Sequence, residues 1–194
     1  MNRIKSDLSQ LEDGYIDGYF HGDGYAHYNK KDRHYRTEFF PNSERDKDIT
    51  IKIENLLAKM GLKFSGKKDT RSNSWRIRVD SKEFYLKMIN KWQKFKSLPL
   101  KTPDYQMGFL SGFIDAEGYV IKGDITVTQA NKAVLDKIAQ ICGILHIPIG
   151  KIWSFQSKKM PNKAWRLRIL TKIKHYNHIS CKINRIYAGS GPTP

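Results

Sequence analysis

The stretches GYIDGYFHGDGY at 14–25 and GFLSGFIDAEGY at 108–119 match each other without a gap. A second pair, SWRIRVDS at 74–81 and AWRLRILT at 164–171, follows in the same order, with four fewer residues between the two matches in the second half. Repetition of this kind indicates duplicated structural units. The difference in length is assigned to one turn, because NKKDRH at 29–34 is polar and turn-forming, whereas only Gly123 and Asp124 stand at the corresponding place.

Each half is predicted to fold in the order αββαββα. In the first half, Ser9 and Glu12 form a capping box for the leading helix, and Ser81 caps the third helix, which runs to about 92. Strands are expected near 25–30, 34–40, 63–68 and 74–79, with a helix near 44–60.

The second half begins at Thr102, a suitable N-cap, and Pro103 suits the first helical position. Its strands are expected near 119–122, 124–129, 148–155 and 164–170, and its helices near 132–142 and 172–186. The chain is therefore predicted to be an α+β fold of two pseudo-symmetric halves, residues 1–101 with a connector at about 93–101 and residues 102–194.

The charge balance predicts a polyanionic partner. The chain of 194 residues has 35 Lys and Arg against 19 Asp and Glu, a formal net charge of +16. Self-repulsion of this size is offset when clustered cations release counterions from nucleic acid. The longest apolar runs fall short of the roughly 18 residues of a membrane span, and the two cysteines do not make a disulfide framework, so a soluble, intracellular protein without a membrane partner is expected.

Small residues recur at every fourth position of the matching stretches. They are Gly14, Gly18 and Gly22 in the first stretch, and Gly108, Gly112 and Ala116 in the second. Spacing of four places each trio on one helix face. A glycine inside a helix costs about 1 kcal/mol relative to alanine, so close approach of another backbone is expected to recover that cost. The two helices are therefore predicted to pack against each other about a pseudo-twofold axis.

Asp23 and Glu117 end these two helices, directly before Gly24 and Gly118, which are predicted to be C′ glycines. A carboxylate at the negative end of the helix dipole costs about 0.3–1 kcal/mol, and two acids brought together also repel. Bound Mg²⁺ removes both penalties, because it takes carboxylate oxygens and leaves positions for water and phosphate. The pattern therefore predicts a metal site suited to phosphodiester hydrolysis.

Two segments, IDGYFHGDG at 16–24 and LSGFIDAEG at 110–118, resemble the motif that names the LAGLIDADG homing endonucleases. The second copy is close to the motif name, and the first departs from it at Asp17, His21 and Gly22. The resemblance implies a monomer with two curved, saddle-shaped sheets on double-stranded DNA with a long asymmetric target site. It also implies Mg²⁺-dependent cutting across the minor groove that leaves short 3′ overhangs, with Mn²⁺ as a substitute and Ca²⁺ supporting binding without cleavage.

The resemblance also assigns further residues to the active site. The backbone carbonyls of Gly22 and Ala116 would join Asp23 and Glu117 as metal ligands. Gln129 matches the family's usual water-ordering glutamine, and Asn42 is given the comparable place in the first half. Lys96 is matched to the family's basic residue, with Lys182 or Arg185 as its counterpart in the second half.

Period-two alternation in the fourth strand of each half separates an apolar face from a face of paired arginines. Since the apolar face must meet the helices, the arginines are predicted to contact phosphates or base edges. The predicted DNA-binding residues are Arg36, Lys67, Lys68, Arg71, Arg76, Arg78, Lys151, Lys158, Lys159, Arg166 and Arg168.

Two other functions use the same features. The first is an RNA-binding intron-splicing maturase, because a basic surface serves either polymer, and the second is a cleavage-silent DNA-binding protein. The paired acids Asp23 and Glu117 favour the nuclease, since splicing does not need a metal pair at these positions.

Overall fold

The computed structural model describes residues 8–70, 72–121, 124–156, 163–170 and 180–188. The first half consists of α1 (Gln10–Asp23), β1 (Gly24–Asn29), β2 (His34–Phe39), α2 (Lys47–Lys59), β3 (Phe64–Lys68), β4 (Trp75–Val79), α3 (Lys82–Ile89), α4 (Lys91–Ser97) and a 3-10 turn (Leu98–Leu100). The second half consists of α5 (Pro103–Glu117), β5 (Gly118–Ile121), β6 (Asp124–Gln129), α6 (Lys132–Ile144), β7 (Trp153–Phe155), β8 (Ala164–Ile169) and α7 (Cys181–Ala188). None of the helices in these ranges combines the length and apolar character that crossing a membrane requires.

Local sequence signals set the helix starts. The Ser9 hydroxyl oxygen accepts a hydrogen bond from the backbone N–H of Glu12, and the Glu12 carboxylate accepts one from the backbone N–H of Ser9, so the capping box of α1 is confirmed. Ser81 caps α3 by accepting from Phe84, and Thr102 caps α5 ahead of Pro103.

The helices α1 and α5 pack with their backbones in contact. A Cβ atom on Gly18 would lie 2.0 Å from the carbonyl oxygen of Phe109, and one on Gly112 would lie 2.1 Å from that of Tyr15. Only hydrogen fits at such positions, which explains why glycine is tolerated inside both helices. The predicted packing of the two motif helices is confirmed.

Each half contains a four-stranded antiparallel sheet, and the strand orders β1-β2-β4-β3 and β5-β6-β8-β7 are equivalent. The registers are equivalent as well, because Gly24 pairs with Phe39 in the first sheet and Gly118 pairs with Val127 in the second. One face of each sheet carries fully buried side chains such as Ile77 and Leu167 and packs against the helices. The predicted α+β fold of two similar halves is confirmed.

Several predicted boundaries are wrong. The connector at about 93–101 is largely helical: α4 and the 3-10 turn occupy it, and Phe95 and Leu98 pack in the core of the second half. The strand near 148–155 is shorter, with β7 confined to Trp153–Phe155 and Ile149 forming an isolated bridge. The described part of the last helix begins at Cys181, and residues 172–179 of its predicted range lie outside the described residues.

Gly24 and Gly118 do not adopt the left-handed conformation expected of C′ glycines. Both are extended, with φ −103° and −80°, and each begins a strand directly after its helix. Glycine is required for space instead, because a Cβ on Gly24 would lie 2.1 Å from the ring of Phe20. The chain therefore passes from helix to strand without an intervening turn.

Candidate active site and nucleic-acid interface

The C-terminal ends of α1 and α5 meet at the junction of the two halves. A Cβ atom on Gly22 would lie 2.6 Å from the Cβ of Ala116 and 2.9 Å from Cγ of Glu117. The small residues that end both helix faces thus bring the side chain of Glu117 against the other motif helix. Asp23 follows Gly22 directly, so the two predicted catalytic acids share one location.

Electrostatic strain marks this pair of acids. Burial raises the pKa of Asp23 to about 7, and the charges of Glu117 and Asp46 add to this effect against the opposing charge of Lys182. Burial also raises the pKa of Glu117, although a hydrogen bond from Gln129 and the charges of Lys182 and Lys91 lower it in part. Asp23 nevertheless remains exposed to solvent, so the acids lie at an open surface that a ligand can reach.

Lys182 is the lysine of the second half that lies at the acids. Its Nζ donates to the carbonyl oxygen of Gly118 at 2.6 Å and lies 3.4 Å from that of Ala116. Burial lowers the pKa of Lys182, and the charges of Asp46, Asp115 and Asp23 oppose that shift. Lys182 therefore brings positive charge to the ends of both motif helices.

A buried carboxylate anchors the helix that carries Lys182. Asp115 is only 1% exposed and accepts hydrogen bonds from the backbone N–H groups of Cys181 at 2.9 Å and Lys182 at 3.0 Å. The hydroxyls of Ser180 and Tyr15 each donate to it at 2.7 Å. Asp115 thus caps α7 and attaches it to both motif helices, a role that sequence reasoning missed although the acid stands out within an apolar helix.

Asp46 is a third acid near the site that sequence reasoning missed. It is the N-cap residue of α2, and its Oδ1 accepts a hydrogen bond from Arg185 Nη1 at 3.0 Å. Arg185 also pairs with Asp48, so α7 of the second half is bound to the start of α2 in the first half. No sequence pattern connects these residues, because the contact depends on how the two halves are placed.

The structure corrects the placement of Asn42. The strand register shows that Pro41, one residue earlier, is the counterpart of Gln129, and proline offers no side-chain donor or acceptor. The side-chain oxygen of Asn42 accepts from the backbone N–H groups of Glu44 and Arg45 at 3.0 Å each. Asn42 therefore stabilises the turn before α2, and the two halves of the site differ at this position.

Lys96 is exposed on α4, and its match to the family's basic residue stays a prediction. The lysine of the same helix whose charge acts on Glu117 is Lys91, at the start of α4. Because Lys91 begins α4 and Lys182 lies in the first turn of α7, one lysine from each half places its charge near Glu117. Sequence reasoning missed Lys91, because it placed this residue in the last turn of the third helix and assigned residues from about 93 to a connector.

The donor set suits a hard divalent cation. Asp23 and Glu117 offer carboxylate oxygens whose anionic forms are disfavoured in the metal-free protein, and a cation reverses that preference. Among the described residues, no group of three or more His, Cys, Asp or Glu side chains forms a closed metal site. Further ligands would have to come from backbone carbonyls such as those of Gly22 and Ala116, from water, or from a bound phosphate.

The exposed faces of both sheets carry basic side chains, as strand alternation predicted. In the first sheet, Arg36, Lys67, Arg76 and Arg78 lie on the face away from the helices. Lys68 is a correction, since it pairs with Trp75, whose indole reaches Glu54 of α2 on the helix side. The second sheet presents Arg166 and Arg168 in the same way, and Lys151 lies exposed before β7. Arg71, Lys158 and Lys159 lie outside the described residues.

The comparisons with known proteins identify the same fold. Residues 104–174 match the family model of the LAGLIDADG-like domain. An uncharacterized protein of Methanocaldococcus jannaschii is 31% identical over 125 residues, which span 63% of this chain and 44% of that protein. The chain thus covers less than half of the length of this relative.

Solved structures extend the likeness to both halves. The homing endonuclease I-DmoI in complex with DNA and Ca is 19% identical with a TM-score of 0.68, over 92% of this chain and 96% of that chain. The N-terminal LAGLIDADG domain of WhiA is 11% identical with a TM-score of 0.55, over 99% of this chain and 87% of that chain. At these sequence identities the likeness shows the fold only, and the chemistry has to be argued from the residues of this chain.

Proposed function

We propose that this chain, which carries a LAGLIDADG-like domain on the fold of a two-motif homing endonuclease, is a site-specific endonuclease for double-stranded DNA. The proposal includes Mg²⁺-dependent hydrolysis that leaves short 3′ overhangs. The chain is proposed to act as a monomer, since α1 and α5 already supply both halves of the axis.

The observation that carries the proposal is the juxtaposition of Asp23 and Glu117 where the motif helices end. Burial raises the pKa of both acids, and the charges of Glu117 and Asp46 raise that of Asp23 further. A purely structural pair of acids would gain nothing from this location, whereas a metal site requires carboxylate oxygens beside a surface that a cation and a phosphate can reach.

The protein's own groups have distinct roles in the proposed reaction. Asp23 and Glu117 would hold the cation, and the amide of Gln129 fixes the carboxylate of Glu117 by a hydrogen bond. Lys182 and Lys91 place positive charge beside the acids, where negative charge develops on the scissile phosphate. When bound, Mg²⁺ supplies Lewis-acid activation of water and stabilisation of the leaving oxygen.

The metal preference is proposed from the same donor chemistry. I-DmoI has been solved with DNA and Mn, with DNA and Ca, and as a variant with DNA and Mg. For this chain, Mn²⁺ is proposed to replace Mg²⁺, and Ca²⁺ to support binding without cleavage, because Ca²⁺ is larger and tolerates looser coordination.

DNA is proposed to lie on the exposed faces of both sheets. The formal net charge of +16 provides attraction to the backbone, and the strand arginines lie on surfaces that can enter a major groove. The side chains of the two faces differ, with Lys67 at the position of β3 that Trp153 takes in β7. Because the exposed faces of the two sheets differ, we expect each to recognise a different half of the target, which is therefore asymmetric.

Selection from a randomised duplex library tests this function. The protein should enrich duplexes that it cuts on both strands in Mg²⁺ and leaves intact in EDTA. Enrichment of bound duplexes that are never cut in Mg²⁺ or Mn²⁺ would instead establish a cleavage-silent DNA-binding protein. Preference for structured intron RNA over every duplex would establish the maturase alternative.

A further inference from the structure

Two equivalent arginines on the exposed sheet faces are each paired with an acid. In the first sheet, Arg78 Nε donates to Asp80 Oδ1 at 2.9 Å, and Nη2 lies 2.7 Å from Oδ2. In the second sheet, Arg168 pairs through Nη2 with Asp124, whose side chain is 8% exposed. An acid on a surface that meets a polyanion weakens binding, so its presence in both sheets requires a specific reason.

The two acids come from different positions of the repeat. Asp80 follows Arg78 at the end of β4, and Leu170 stands at its place in the second half. Asp124 begins β6, and Arg36 stands at its place in the first half. The two halves therefore share the position of the arginine, but the acid that pairs with it comes from a different position in each half. What the halves have in common is an arginine paired with an acid.

The geometry of the first pair leaves the useful end of the guanidinium available. A guanidinium has five N–H donors, and Asp80 accepts from Nε and from one hydrogen of Nη2. Arg78 Nη2 also lies 3.3 Å from His34 Nε2, but that nitrogen donates to Asp80 and so does not accept from Arg78. The remaining hydrogens on Nη1 and Nη2 form the end-on fork that matches two adjacent acceptors. The acid therefore restrains the side chain without occupying the edge that would meet a base.

The surroundings keep Asp80 charged and fixed. His34 Nε2 lies 2.8 Å from Asp80 Oδ1 and donates to it, and Arg36 Nε lies 3.6 Å from the same oxygen. Partial burial raises the pKa of Asp80, but the hydrogen bonds from Arg78 and His34 outweigh burial and lower it overall. A fixed, ionised acceptor can hold an arginine in one orientation.

We propose that Asp80 and Asp124 are positioning residues that hold Arg78 and Arg168 for contact with O6 and N7 of guanine, one in each half of a DNA target. Guanine presents these two acceptors side by side in the major groove, in the spacing that an end-on guanidinium fork matches. An arginine that is already held in one orientation loses less conformational entropy when DNA binds, and it is kept from contacting other bases. The inference rests on the proposed function, because it presupposes duplex DNA on both sheets.

The test compares Asp80→Asn and Asp124→Asn with wild type and with the control Asp136→Asn. Asp136 is an exposed acid on α6 that pairs with Lys132, so its replacement removes the same charge away from both sheets. The probe is the duplex that wild type selects from a randomised library, together with its single base-pair variants and an unrelated duplex. Binding is measured in Ca²⁺ and again in EDTA, and melting temperature is recorded for each variant.

Asp80→Asn should lose about tenfold of the preference at one G·C pair in one half of the duplex, since a bidentate contact is worth about that much discrimination or more. Its affinity for the unrelated duplex should be equal or higher, because a negative charge has been removed from the interface. Asp124→Asn should show the same loss in the other half, and Asp136→Asn should keep the wild-type profile.

A uniform change across all duplexes, or an unchanged base preference in folded Asp80→Asn, would overturn the inference and leave the proposed function standing. Should Asp124→Asn fail to fold, the Asp80→Asn profile decides the matter alone. If wild type selects no duplex, the proposed function fails and this inference fails with it.

Discussion

The hydroxyl of Tyr105 donates a 2.6 Å hydrogen bond to the carboxylate of Asp17, which ties the start of the second motif helix to the middle of the first. Lys94 Nζ lies 2.8 Å from both oxygens of the same carboxylate. Tyr15 makes the opposite connection to Asp115, so a tyrosine from each half reaches a buried acid of the other. These bonds, together with the glycine contacts, fix the relative position of the two halves and hence of Asp23 and Glu117, the proposed catalytic acids.

Gly18→Ala should destabilise the protein by about 3 kcal/mol, because its Cβ would lie 2.0 Å from the backbone oxygen of Phe109 and the helices would have to separate. Gly143→Ala is the matched control, since that helical glycine has no atom within 4 Å of an added Cβ. It should stabilise the protein by about 0.5–1 kcal/mol. Urea denaturation measures the free energy of unfolding of both variants. Equal changes in the two variants would contradict the close packing of α1 and α5.

Asp23→Asn and Glu117→Gln should each abolish or strongly reduce cleavage of both strands in Mg²⁺, because each removes one carboxylate of the shared site. Duplex affinity in EDTA should persist or increase, since a negative charge beside the phosphates is lost. Melting temperature in EDTA should be unchanged or higher, because the charge at the helix C-terminus is also removed. If a variant instead has a lower melting temperature and its loss of cleavage is no larger than this loss of stability explains, the acid has a structural role.

The raised pKa of Asp23 has a consequence for metal-free stability. The folded pKa is about 7 against an ordinary value of 3.8, so the fold favours the protonated acid. This contribution is fully present below the ordinary value and is lost as pH rises from about 4 to 7. The stability of wild type relative to Asp23→Asn should therefore fall over that window in EDTA. Denaturant titrations at several pH values check this, and a constant difference between the two proteins would refute it.

Arg76→Ala combined with Arg78→Ala should weaken binding to one half of the target only, and Arg166→Ala combined with Arg168→Ala should weaken the other half. The expected loss is about 1–3 kcal/mol for each side chain that makes a bidentate base contact. Footprinting of the selected duplex measures the asymmetry. Wild-type binding by both double variants would show that the exposed sheet faces do not contact the DNA.

Asp115→Asn should destabilise the protein by about 1–3 kcal/mol, because an amide cannot accept from all four of the donors that now reach this carboxylate. Loosening of α7 should also shift Lys182, so cleavage should fall more than stability alone explains. Urea denaturation and single-turnover cleavage on the same preparations measure the two effects. Asp136→Asn provides the control, and an equal, small effect of both variants would exclude an anchoring role.

Much of the architecture is predictable because its causes are local. The capping residues Ser9 and Thr102 mark helix starts, and period-two alternation around Ile77 separates the two faces of a strand, since each rule acts over a few residues. The helical residues after about 92 were instead assigned to the connector, because α4 is stabilised by Phe95, which packs in the core of the other half, and no local pattern records that contact.

The sequence by itself determined the duplication, the close packing of two glycine-faced helices, and the coincidence of Asp23 with Glu117, because an ungapped repeat forces equivalent residues to equivalent places. Only the tertiary structure decided what surrounds the acids. Lys182, Asp46 and Arg185 reach the site from α7 and α2 through contacts between the halves. Such contacts join residues more than a hundred positions apart, and their pairing depends on the packing of whole helices and leaves no periodic trace in the chain.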